Sequence, residues 1–107
     1  MDFYALIEKS RKTGKVDKGT NEVTKAVERG VAKLVVYASD VEPKEIVSHL
    51  ETICKAKNIP CVVVDSKQKL GLAVGVKVNA SAVAILDAGV AKTELASLLH
   101  KHSHGWH

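Results

Sequence analysis

Apolar positions recur at helical spacing in some stretches of the chain and run without interruption in others. Phe3, Leu6 and Ile7 share one helical face, which predicts a first helix over residues 2–13, ended by Thr13-Gly14. Val16 then stands on a short strand before Gly19. Val23, Ala26, Val27 and Val31 return to helical spacing, with Thr20 as the expected N-cap and Gly30 where a C-cap would sit. Residues 34–38, Leu-Val-Val-Tyr-Ala, form a continuous apolar run typical of a strand covered on both faces. Pro43 suits the first turn of a third helix, where a missing N–H costs nothing. Ile46, Val47, Leu50, Ile53 and Cys54 give that helix its apolar stripe, and Asn58 and Pro60 stop it. Cys61–Val64 is a further buried strand, Ser66 caps a short helix through Ala73, residues 82–86 form another strand, and residues 90–101 form a closing helix with Leu95, Leu98 and Leu99 inward.

Alternation of strands and helices predicts helices on both faces of one sheet. The expected fold is α/β, a three-layer α/β/α sandwich with a small mixed, largely parallel central sheet. Residues 1–101 are expected to form one domain, followed by a His-rich tail at residues 102–107. Such a fold serves many functions, so chemistry must come from particular residues.

Composition narrows the classes. With 107 residues and 46% hydrophobic content, the chain can build one core. Only four aromatics are present (Phe3, Tyr4, Tyr37, Trp106), too few for a sheet that stacks single-stranded RNA. The net charge of +4 suits a polyanionic partner without requiring one. Cys54 and Cys61 stand seven residues apart, outside any C-x-x-C pattern, and read as free thiols in a reducing compartment. The first residues lack the apolar core of a signal peptide, and no apolar run is long enough to span a membrane, so a cytoplasmic protein is expected.

The outward face of the second helix carries the distinctive chemistry. Asn21, Lys25 and Arg29 lie at i, i+4 and i+8, with Glu22 beside Lys25 and Gly19 just before the helix. Glycine admits a close backbone approach, and the N–H groups of a first turn favour anions. Asn offers a donor and an acceptor, Lys donates to guanine O6, and Glu accepts from base N–H groups. Taken alone, these residues describe a solvated helix face with a Glu–Lys pair worth about 0.3–0.5 kcal/mol as readily as a base reader, and the solvated face is the commoner case.

A resemblance changes that balance. The run from Lys18 to Gly30, with Gly19, Thr20, Asn21, Glu22, Val23, Thr24, Lys25, Ala26, Val27, Glu28 and Arg29 between, resembles the signature of the kink-turn RNA-binding family, most closely the archaeal ribosomal L-seven-Ae type. Weaker matches follow at Asp40-Val41-Glu42-Pro43, Asn58-Ile59-Pro60, Ser66-Lys67-Gln68-Lys69-Leu70-Gly71 and Ala82-Val83-Ala84-Ile85, covering residues 3–100 in order. The resemblance implies that Asn21, Glu22 and Lys25 contact the guanines of tandem sheared G·A pairs. It implies that Lys18, Gly19 and Arg29 hold the flanking backbone, with Thr20 in the same segment. A bulged nucleotide would enter a pocket lined by Glu42, Ile46 and Lys67, beneath a loop of Val76, Lys77 and Val78. Archaeal members commonly carry Glu where this chain has Lys77. The implied function is that of a non-enzymatic ribonucleoprotein subunit without a cofactor. Its RNAs would be large-subunit ribosomal RNA, box C/D and H/ACA guide RNAs and ribonuclease P RNA, the last touching tRNA processing. Partners would be a Nop-type scaffold protein and fibrillarin in box C/D particles, and the ribosomal large subunit.

Two other classes compete. One is a protein-interaction module of the same fold without RNA binding. The other is a small enzyme using Asp65 and Asp87, which follow two strands and could meet at one sheet edge, although plain strand-end carboxylates or helix caps are the commoner case. Gly71 and Gly75 fit no phosphate-binding glycine pattern. The histidines at 100, 102, 104 and 107 could hold Ni²⁺ or Zn²⁺ incidentally, but no carboxylate or thiol accompanies them and no functional metal site is expected.

Overall fold

A computed structural model describes residues 3–42 and 44–101. The elements run α1 (Phe3–Thr13), β1 (Lys15–Lys18), α2 (Thr20–Glu28), β2 (Leu34–Ala38), α3 (Lys44–Ala56), β3 (Cys61–Val64), α4 (Lys67–Ala73), β4 (Ala82–Asp87), a 3₁₀ turn (Gly89–Ala91) and α5 (Lys92–Lys101). The strands form one mixed sheet in the order β1-β4-β2-β3. The periodicity of side chains in β2 sorts the layers. Leu34, Val36 and Ala38 pack with Phe3, Leu6 and Ile7 of α1, Leu70 of α4, and Leu95 and Leu98 of α5. Val35 faces the other way, with Val23, Ala26 and Val27 of α2 and Leu50 and Cys54 of α3. Ala82 and Ala84 of β4 share that second face, and their small side chains let α2 and α3 lie close on the sheet. The expected three-layer sandwich and mixed sheet are therefore present. The tail at residues 102–107 and the expectation at Pro43 lie outside the described residues.

Strand direction departs from the expectation of a largely parallel sheet. Only β2 and β3 run parallel; β4 is antiparallel to both β2 and β1. The cause is the connection after α4. Val76 N–H donates to the Gly71 carbonyl (3.1 Å) and Ala80 N–H to the Lys67 carbonyl (3.0 Å), so residues 76–80 run back along the helix they have just left. The chain re-enters the sheet at the end where α4 began, and β4 must run the other way.

Helix ends account for two further differences. Gly19, with φ of 90°, is the N-cap of α2, and Thr20 is the first helical residue, so the expected Thr20 cap is replaced. Gly30 does end the helix in a left-handed conformation, with Gly30 N–H bonded to Val27 O and Val31 N–H to Ala26 O. That motif turns the chain before Val31, which is exposed rather than part of the apolar stripe. Ser66 caps α4 as expected, its hydroxyl accepting from Lys69 N–H at 3.2 Å.

Two polar ties fasten α1 to its neighbours. Tyr4 hydroxyl donates to Asp65 Oδ1 (2.5 Å) and accepts from Ser66 N–H (3.1 Å). Lys9 Nζ pairs with Glu94 Oε1 of α5 at 2.7 Å. The Tyr4 hydrogen bond holds the Asp65 carboxyl below the usual carboxylate range, and the Lys9 ammonium does the same for Glu94. Both carboxyls therefore bind protons less readily folded than unfolded. Their stabilisation is complete above about pH 5 and is lost as pH falls through their lowered folded values, below the ordinary carboxylate pKa of about 4. The double variant Asp65→Asn, Glu94→Gln should show a shallower fall of thermal midpoint from about pH 5 to about pH 2 than the wild type. Identical slopes would contradict this assignment.

Candidate nucleic-acid interface

Strand directions gather the sequence-predicted residues at one end of the sheet. Tyr37 of β2 pairs with Ala82 of β4, Lys18 of β1 with Val83, and Ala38 with Val64 of β3. The β1–α2 turn, the β2–α3 loop, the start of α4 and the 74–81 connection therefore open at this same end. Hydrogen bonds join them: Gly19 N–H to Ala82 O (2.9 Å), Ala38 N–H to Ser81 O (3.1 Å) and Ser39 N–H to Val64 O (2.8 Å).

Lys18 and Gly19 form the turn into α2. Gly19 has open space where a side chain would stand, so its left-handed φ, rather than crowding, requires glycine. Asn21, Glu22, Lys25 and Arg29 are all exposed on the outer face of α2. Lys25 Nζ lies 3.5 Å from Glu22 Oε1, a loose surface pair that leaves both groups able to reach another molecule. Arg29 stands one residue past the helix, on the order of 12 Å from Asn21 along the axis, which makes it the outlying member. Thr20 points elsewhere: its hydroxyl is 2.9 Å from Ser81 Oγ, tying α2 to the start of β4.

The second group converges on α4. Lys67 is half-buried at its first position, Glu42 is exposed in the β2–α3 loop, and Ile46 of α3 is half-buried against both core layers. Lys67 N–H donates to Asp40 Oδ1 at 2.9 Å, drawing the β2–α3 loop to α4. In the loop above, Val76 packs against the core, whereas Lys77 and Val78 are exposed. Of the two valines, Val78 is the one free to cover an incoming group.

Residue patterning did not single out Asp40, Ser81 or Tyr4. Asp40 had a signal, as a carboxylate two residues past a buried strand, but its partner is a backbone amide far along the chain. Asp65 and Asp87 do not meet. Asp65 follows β3 at the loop-rich end, while Asp87 ends the antiparallel β4 and pairs with Lys15 at the opposite end. The two carboxylates are therefore plain strand-end groups, the commoner reading of the sequence, and do not form a shared acid–base pair. Among the described residues no group of three or more His, Cys, Asp or Glu side chains could hold a metal ion, and no helix is long and apolar enough to cross a membrane.

A three-layer sandwich presenting one polar, loop-built end defines the class, and comparison gives the family. Residues 1–95 match the profile of the ribosomal protein L7Ae/L30e/S12e/Gadd45 family, and the chain belongs to it. The fold is also similar to that of a 15.5 kD RNA-binding protein from Giardia lamblia, with a TM-score of 0.86 and 32% sequence identity over 94% of this chain and 84% of that one.

Proposed function

We propose that the protein is an RNA-binding ribonucleoprotein subunit that recognises kink-turns and stabilises their bent conformation. The observation that carries this reading is the convergence of the α2 face, the β2–α3 loop, the α4 start and the 76–78 loop at one end of the sheet. Family membership and the likeness to an RNA-binding protein support it. Asn21, Glu22 and Lys25 would read the guanine edges of sheared G·A pairs, since an undistorted A-form helix hides its deep groove. Lys18, Gly19 and Arg29 would hold the flanking phosphates, with Thr20 fixing the turn. Glu42, Ile46 and Lys67 would line the pocket for an outflipped nucleotide, Val78 covering it. The protein selects the kinked form from a flexible ensemble by binding it better. Large-subunit ribosomal RNA, box C/D and H/ACA guide RNAs and ribonuclease P RNA are the proposed RNAs, with a Nop-type scaffold and fibrillarin as further partners in box C/D particles.

A gel shift tests the reading. A standard kink-turn RNA should bind well, and a control with its G·A pairs replaced by Watson–Crick pairs should bind much more weakly. Equal binding would defeat the proposal. Exposed Lys77 adds a positive charge beside the pocket, so Lys77→Glu should weaken binding, flatten its salt dependence by up to about one unit of slope and sharpen discrimination among kink-turns. An unchanged salt slope and affinity ranking would count against a role for this charge.

A further inference from the structure

We propose that Asp40 is a positioning residue that sets the width of the nucleotide pocket by clamping Lys67 at its backbone. The inference rests on the RNA-binding reading above and adds to it a residue that does not itself touch RNA.

The physical reason begins at the start of α4. The first residues of a helix have N–H groups without intrahelical partners. Ser66 hydroxyl satisfies the amide of Lys69. The amide of Lys67 is left for another acceptor, and Asp40 Oδ1 takes it at 2.9 Å from a different loop. A charged acceptor makes this the stronger kind of hydrogen bond. The Lys67 carbonyl in turn accepts from Ala80 N–H at 3.0 Å. Residue 67 is thus held on one side by the loop bearing Glu42 and on the other by the loop bearing Lys77 and Val78. Asp40 sits two residues before Glu42, so its bond fixes the distance between the Glu42 and Lys67 walls. Tyr4 steadies the same corner from behind, through Ser66 N–H and Asp65. Without the carboxylate, the α4 start and the β2–α3 loop lose their direct link while the α2 face stays intact.

Asp40→Ala removes the acceptor, whereas Asp40→Asn keeps an oxygen in the same place. The experiment compares wild type and both variants on a kink-turn RNA carrying 2-aminopurine at the outflipped position, and on the same RNA made abasic there. Asp40→Ala should bind the intact RNA about tenfold more weakly and leave the 2-aminopurine emission unlike that of the wild-type complex. Asp40→Asn should restore most of both. On the abasic RNA, Asp40→Ala and wild type should bind alike, because no base occupies the pocket. In the RNA-free protein, amide exchange at Lys67 and Ala80 should quicken in Asp40→Ala and not at Val23 in α2. Wild-type affinity of Asp40→Ala for the intact RNA, an equal loss on the abasic RNA, or unchanged exchange at Lys67 would each overturn the inference alone. Equal wild-type binding to a Watson–Crick control would instead overturn the RNA reading and this inference with it.

Discussion

Alanine at Asn21, Glu22 or Lys25 is expected to weaken kink-turn binding by about 1–3 kcal/mol each, roughly 5- to 150-fold in affinity. All three side chains are exposed, outside both core layers, so thermal stability should change by no more than about 0.5 kcal/mol. The salt dependence separates base reading from charge. A base reader loses affinity with an unchanged salt slope for Asn21 and Glu22, whereas a phosphate contact at Lys25 lowers the slope by about one. Loss of affinity confined to the slope would reassign Lys25 to the backbone. Wild-type affinity in all three variants would show that this face does not meet RNA.

Gly71→Ala is expected to act through the fold. A Cβ at Gly71 would collide with the Val78 backbone carbonyl, closer than real side chains approach a backbone oxygen. The loop over the candidate pocket must then lift from α4, straining the Val76 and Ala80 hydrogen bonds that lay it there. Overpacking of this kind costs about 1–3 kcal/mol. Thermal unfolding should register that loss, and binding to an RNA with an outflipped base should fall further than binding to its abasic counterpart. A midpoint equal to the wild type would contradict the close approach.

Gly71 also illustrates what the sequence could and could not reveal. The helices and strands were legible because burial imposes its own period, but β3, expected to be buried, is an edge strand with Val63 exposed. Val23, Ala26 and Val27 face the core at helical spacing, and β2 is buried on both sides, as its continuous apolar run implied. The direction of β4 was not legible, since nothing in a local pattern tells that residues 76–80 fold back along α4. The same holds for Thr20, a residue type suited to an N-cap that does not cap this helix. The left-handed Gly19 took the cap, and the hydroxyl turned to Ser81, sixty-one residues away. The α2 face was visible as polar chemistry at helical spacing, but neither spacing nor composition separated a base reader from a solvated surface. The candidate pocket was less visible still, because Asp40 and Ala80 each reach Lys67 only through a tertiary hydrogen bond.

On the proposed function, this end of the sheet selects bent RNA by reading its G·A pairs. Energy transfer between dyes on the two arms of a kink-turn, titrated with protein without added divalent cations, tests it most directly. High transfer that saturates with the wild-type protein, and stays low when the G·A pairs are replaced or Asn21, Glu22 and Lys25 are all alanine, is the predicted result. Binding that leaves the arms extended, or equal bending of the replaced RNA, would contradict it.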